Sequence, residues 1–170
     1  ISRIFRLPIG NLYCIIGIDG SGKTTHAKKL VSELTLSRNK CKYVWLRSVY
    51  FFSLPFMFLC RLLGFTKIHN LPNGKTCSEH LYYKKPVALI WPWIQFLDLL
   101  FLVSLKIYVP LVRGYTVVAD RFVHDVLVDL MVDINNFNLY KSLVGQLILK
   151  LVPPKTIVFL FDVNKETALK

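Results

Sequence analysis

Carboxylates are scarce in this 170-residue chain: ten Asp and Glu stand against 22 Lys and Arg, leaving a net charge of +12. That imbalance points to anionic partners, such as nucleotides, nucleic acid or an acidic membrane surface, or to a generally basic protein background. Cysteine is equally sparse. Cys14, Cys41, Cys60 and Cys77 form no C-x-x-C pair and have no histidine at zinc-finger spacing, so a structural zinc site is excluded and free thiols in a reducing cytoplasm are expected. There is no internal repeat, no low-complexity tract, no secretory signal and no interleaved aromatic–basic recognition motif, which makes nucleic-acid binding unlikely. The chain begins at Ile1 rather than Met, which reads as a trimmed piece of a longer protein. Apolar residues are abundant instead, at 54% with mean hydropathy +0.45.

The few polar residues are concentrated in informative places. Tyr13-Cys14-Ile15-Ile16 suits a buried strand, and Gly17-Ile18-Asp19-Gly20-Ser21-Gly22-Lys23-Thr24 fits the phosphate-binding pattern G-x-x-x-x-G-K-[ST]. Thr25 to Val31 continues as an amphipathic helix. Each residue type has a physical task. Gly17, Gly20 and Gly22 let successive N–H groups turn toward an anion, with Ser21 between them. The helix start, through Thr24 and Thr25, adds unpaired N–H groups and the positive end of its dipole. Lys23 brings charge to the outer phosphates, and the Thr24 hydroxyl can ligate Mg²⁺. The pattern implies a bound nucleoside triphosphate with Mg²⁺.

Strand and helix signals alternate beyond this loop. Lys42 to Arg47 reads as a second strand, and Tyr50 to Gly64 as an apolar helical stretch interrupted by Pro55. Thr66 to Ser78 is polar and reads as a flexible loop around Asn73-Gly74. Pro86 to Val112 is a long apolar helix, and Thr116 to Ala119 is a strand running into Asp120. Two helices follow, Phe122 to Ile134 and Leu139 to Val152, and Thr156 to Phe161 is a strand ending at Asp162. The expected fold is α/β: a single domain over residues 1–170, with a P-loop NTPase-type parallel sheet wrapped by helices. Ligands of such sheets sit at the carboxyl ends of strands, where Asp19, Arg47, Asp120 and Asp162 fall.

Taken together these residues resemble the thymidylate kinase family of P-loop nucleoside-monophosphate kinases. Gly17 to Thr25 looks like its phosphate loop, Val117 to Phe122 like its buried strand ending in Asp-Arg-aromatic, and Pro153 to Leu169 like its strand ending in Asp-Val before an x-Glu-x-Ala-Leu helix start. The resemblance implies roles residue by residue. Lys23, Asp120 and Arg121 would be catalytic, with Thr24 and Asp120 near the metal. Asp19, Arg47, Asp98, Arg121, Phe122 and Asp125 would face the acceptor. It also implies that the C-terminal lid and last strand are missing from this chain. Departures are plain: Ser48-Val49-Tyr50-Phe51 replaces the family's Glu-Pro-Gly-Gly, Leu99 stands where an arginine is expected, and no Tyr-Gln pair follows Asp120-Arg121.

The resemblance implies an ATP-dependent phosphotransferase acting on a (deoxy)nucleoside monophosphate such as dTMP. Two alternatives stay open: the same fold acting on another small or lipid-linked acceptor, and a membrane-associated nucleotide-binding module without catalysis. Asp125, Asp129 and Asp133 recur every four residues and share a helix face. Pro86 to Leu105 and Tyr50 to Leu63 are too apolar for fully solvated helices, so a cytoplasmic protein with either a homodimer face or peripheral membrane contact is expected.

Overall fold

A computed structural model describes residues 10–37, 40–46, 51–70 and 76–162. Arg47, the 48–50 segment, Asn73-Gly74 and Val163 to Leu169 lie outside the described residues.

Four strands build the main sheet: β1 (Leu12–Gly17), β2 (Cys41–Trp45), β5 (Thr116–Asp120) and β6 (Thr156–Phe161). Their order is β2-β5-β1-β6, and every pairing is parallel. The central pair explains the composition of its strands. β1 and β5 are covered on both faces, and Cys14, Val117, Val118 and Ala119 are fully buried. Register places Ile15 beside Asp120 and Gly17 beside Phe161, so the ends of β1, β5 and β6 lie together along one edge.

Helices cover both faces. α1 (Lys23–Leu36) packs Ala27, Leu30, Val31 and Leu34 against Ile15 and Val118 on one face. The other face carries the larger core, with α3 (Lys85–Val103), α5 (Val123–Asp133) and α6 (Leu143–Leu149) contributing Leu99, Val103, Val123, Leu130 and Ile148. α3 continues through a π-helical turn, Ser104–Tyr108, into α4 (Val109–Val112), so that Lys85–Val112 forms one helical run. α2 (Ser53–Leu62) packs on α3, where Trp91 stacks between Tyr82 at 4.3 Å and Phe56 at 6.0 Å.

Two sequence expectations change. Pro55 does not interrupt α2: it falls in the first turn, where its missing N–H would have had no helical partner. The segment read as a loop is instead an antiparallel pair, β3 (Thr66–Asn70) with β4 (Thr76–His80), in which Thr66 faces His80. Strand formation there rests on backbone pairing that a polar composition conceals.

Candidate functional site

At the end of β1 the backbone turns sharply. Gly17, Gly20 and Gly22 all have positive φ, at 143°, 82° and 78°. Gly17 is also packed too tightly for any side chain, since a Cβ there would lie 2.3 Å from the Phe161 carbonyl oxygen. Gly22 then caps α1, its carbonyl accepting from the His26 N–H at 3.1 Å. The loop therefore delivers Lys23 and Thr24 as the first residues of a helix whose unpaired N–H groups face the loop's concave side.

Lys23 is buried. Its ammonium donates to the Ile18 carbonyl and to Ser21 Oγ at 3.4 Å, with Asp19 Oδ1 3.8 Å away. Thr24 Oγ1 donates to Asp120 Oδ2 at 2.6 Å, bridging the loop to the end of β5. Asp120 is buried and also accepts from the Tyr43 hydroxyl at 2.8 Å. Burial and this carboxylate together push the Tyr43 phenol up to about 12, so it remains a donor. A hydroxyl and a carboxylate meeting at the edge of the phosphate loop are hard oxygen donors, the chemistry Mg²⁺ requires. Among the described residues no cluster of three or more His, Cys, Asp or Glu could enclose a metal, so phosphate and water oxygens would have to complete its shell.

Arg121 follows Asp120 with φ 65°, a left-handed conformation costly for a non-glycine residue. Its N–H is held by the Ile15 carbonyl at 3.0 Å, and its guanidinium pairs with Asp19 Oδ1. Asp19 and Arg121 form a wall shared by two cavities. The first, about 380 Å³, is lined by the loop residues Gly20, Gly22, Lys23, Thr24 and Thr25 with Trp45. The second, about 540 Å³, is lined by His124, Asp125, Val128 and Asp129 of α5, Leu160 to Asp162, and Ile16 to Ile18.

Asp125 reaches this larger cavity while its Oδ2 accepts from the Phe122 N–H at 3.1 Å, capping α5. Asp129 lines the same cavity; Asp133, a turn further, does not. His124 also lines it, with Nδ1 buried and lacking a hydrogen-bond partner. Burial holds this imidazole below its usual pKa, although neighbouring Asp125 pulls the other way.

Two residues expected at the acceptor are occupied elsewhere. Phe122 is fully buried within the large core, so its ring serves packing. Asp98 is also fully buried: its carboxylate accepts from Phe52 N at 2.6 Å, Ser53 N at 3.0 Å and Ser53 Oγ, and so holds the start of α2. Gln95 Nε2 completes the group by donating to Ser53 Oγ at 2.9 Å. Asp98 lines neither cavity. Conversely, sequence reasoning missed Tyr43 and Trp45. Both lie on β2, whose pairing with β5 sets Trp45 opposite Asp120, and nothing in the sequence alone discloses that pairing.

The parallel sheet, loop and flanking helices define a P-loop α/β fold of the thymidylate kinase type. A crystal structure of thymidylate kinase from Ehrlichia chaffeensis is similar to this chain at TM-score 0.50 and 21% identity, over 94% of this chain and 80% of that one. No protein-family model and no curated protein matches the sequence.

Proposed function

We propose that this chain transfers the γ-phosphate of ATP to a small acceptor, most simply a (deoxy)nucleoside monophosphate. The observation that carries the proposal is that Lys23, Thr24 and Arg121 line one cavity, with Asp120 bonded to Thr24 behind it and Arg121 shared with a second cavity. Loop amides and the Lys23 ammonium hold the outer phosphates in the smaller cavity, fixing the donor. Arg121 lies at the boundary, where a guanidinium would stabilise charge on the group in transit. Thr24 and Asp120 would hold Mg²⁺, which when bound neutralises charge on the phosphates. An ionised acceptor phosphate needs no base.

The larger cavity favours a second reading of the acceptor. Asp125, Asp129 and Asp162 line it beside Asp19, against Arg121 as the strong cation, so an acceptor phosphate entering that cavity meets like charge. An uncharged alcohol suits this lining better, and a carboxylate there would accept its hydroxyl proton.

A coupled assay of ATP consumption across nucleoside monophosphates, nucleosides and polyprenol-like alcohols tests both readings. Acceptor-dependent turnover that disappears in Lys23→Ala supports transfer, and the best acceptor chooses between the readings. ATP binding with no acceptor-dependent turnover across the panel would reject the kinase proposal in favour of a nucleotide-binding module.

A further inference from the structure

The helical run that follows the β3–β4 pair is amphipathic the wrong way round. Two of its polar residues, Gln95 and Asp98, are buried, whereas Ile90, Trp93, Leu97, Phe101, Leu105 and Tyr108 are each between 36% and 50% exposed. Those six recur every three or four residues over 18 positions, so they form one stripe roughly 27 Å long. α2 extends it sideways. Leu59 and Leu63 of the α2 region join Pro86 and Ile90 along an entirely apolar groove, and exposed Phe51 stacks on Phe101 at 5.4 Å. Leu54, Phe58 and Leu62 of α2 are exposed as well. A continuous apolar surface of this extent on a folded chain marks a place where something docks.

Charge decides what docks. Between Lys40 and Ala119 the sequence has ten Lys and Arg but only two acidic residues, Glu79 and Asp98, and Asp98 is buried. Arg61 on α2 and Lys84, Lys85, Lys106 and Arg113 along or beside the helical run are all exposed. A second copy applied through this face would bring two basic segments together, and neither α2 nor α3 offers an exposed carboxylate to pair with them. An anionic bilayer surface satisfies both features, taking the apolar stripe among its acyl chains and the cations at its headgroups. Spanning is excluded by the opposite side of the helix: Leu99, Val103 and Ile107 are fully buried in the core that covers the sheet.

We infer that the α2–α3 face is a peripheral membrane-binding surface selective for anionic lipid. It is independent of the phosphotransfer reading, since no residue of the two cavities takes part. The test is flotation of the whole chain with vesicles of phosphatidylcholine, alone or with about one third phosphatidylglycerol. Binding to the anionic vesicles, weakened by salt, is expected. Removing two surface cations in Lys84→Gln/Lys85→Gln should reduce it roughly thirtyfold, the equivalent of about 1 kcal/mol per cation. Phe58→Ser/Leu97→Ser should abolish it. Lipids brominated near the headgroup should quench part of the fluorescence of the unmutated protein, and Trp93→Phe should remove most of that quenching without disturbing a core residue. A monodisperse monomer that ignores both vesicle types overturns the inference. So does a dimer that ignores vesicles and is dispersed by the Phe58 and Leu97 substitutions, because a second copy would then cover the face.

Discussion

Lys23 and Arg121 are buried polar groups lining cavities, and Asp120 is bonded to Thr24 at the edge of one, whereas Gln95 and Asp98 are buried polar groups facing another helix. The first set is held by small contacts that another ligand could replace: a loop carbonyl, a threonine hydroxyl, a neighbouring carboxylate. The second is closed on itself, with Asp98 accepting from two backbone N–H groups and a serine hydroxyl. Burial alone therefore does not mark a functional charge. What separates the two regions is whether the partners are exchangeable, and substitution should expose that difference.

The sharpest contrast pairs Lys23 with Asp98. Lys23→Ala should lower phosphoryl transfer by about 10²-fold or more, because it removes a preorganised cation from the phosphate cavity. Its denaturation midpoint should stay near that of the unmutated chain. Asp98→Ala should do the reverse, costing about 3 kcal/mol in urea unfolding by stranding three donors at the start of α2. Nucleotide affinity of the folded fraction should be unchanged. If Asp98→Ala instead weakens acceptor binding in a protein of normal stability, the division between the two regions fails.

A smaller effect is expected from Arg121→Lys, which keeps the charge but loses the planar fork that meets Asp19. Turnover should fall about tenfold with ATP affinity preserved, measured by steady-state kinetics and nucleotide titration. Equal loss of ATP binding would place Arg121 on the donor side.

The smallest effect concerns pH. Folding holds the His124 imidazole below its ordinary value of 6.5, so the unfolded chain takes the proton first. Stability linked to the neutral imidazole is therefore complete above that value and is lost as pH falls through it. Asp125, Asp129, Asp162 and Arg121 share its cavity, and Asp125 tempers the loss. Thermal unfolding between pH 7 and 5.5 should show a decline that His124→Gln flattens; identical profiles would refute the assignment.

The part of the molecule visible in the sequence was the part whose rules are local. The glycine spacing before Lys23 determines a loop by backbone conformation, and Thr116 to Asp120 reads as a buried strand because it is covered on both faces. The rest depends on which elements become neighbours. Asp98 lies on a helix as expected, but only packing reveals that α2 begins opposite it, where an acceptor contact was expected. Phe122 follows Arg121 directly, and the left-handed backbone at 121 coincides with an inward-facing ring in place of the expected ligand contact. β3 and β4 were hidden because their residues lack the alternation that marks a half-buried strand.

That left-handed residue has a consequence for selection. Asn135 adopts a similar backbone, with φ 53°, using a side chain that tolerates it, whereas Arg121 does so with one that does not. A library randomised at 121 and sorted only for folded protein should drift toward Gly and Asn. The same library sorted for phosphoryl transfer should hold Arg. The distance between those two outcomes would measure how far a working protein departs from the most comfortable sequence for its own fold.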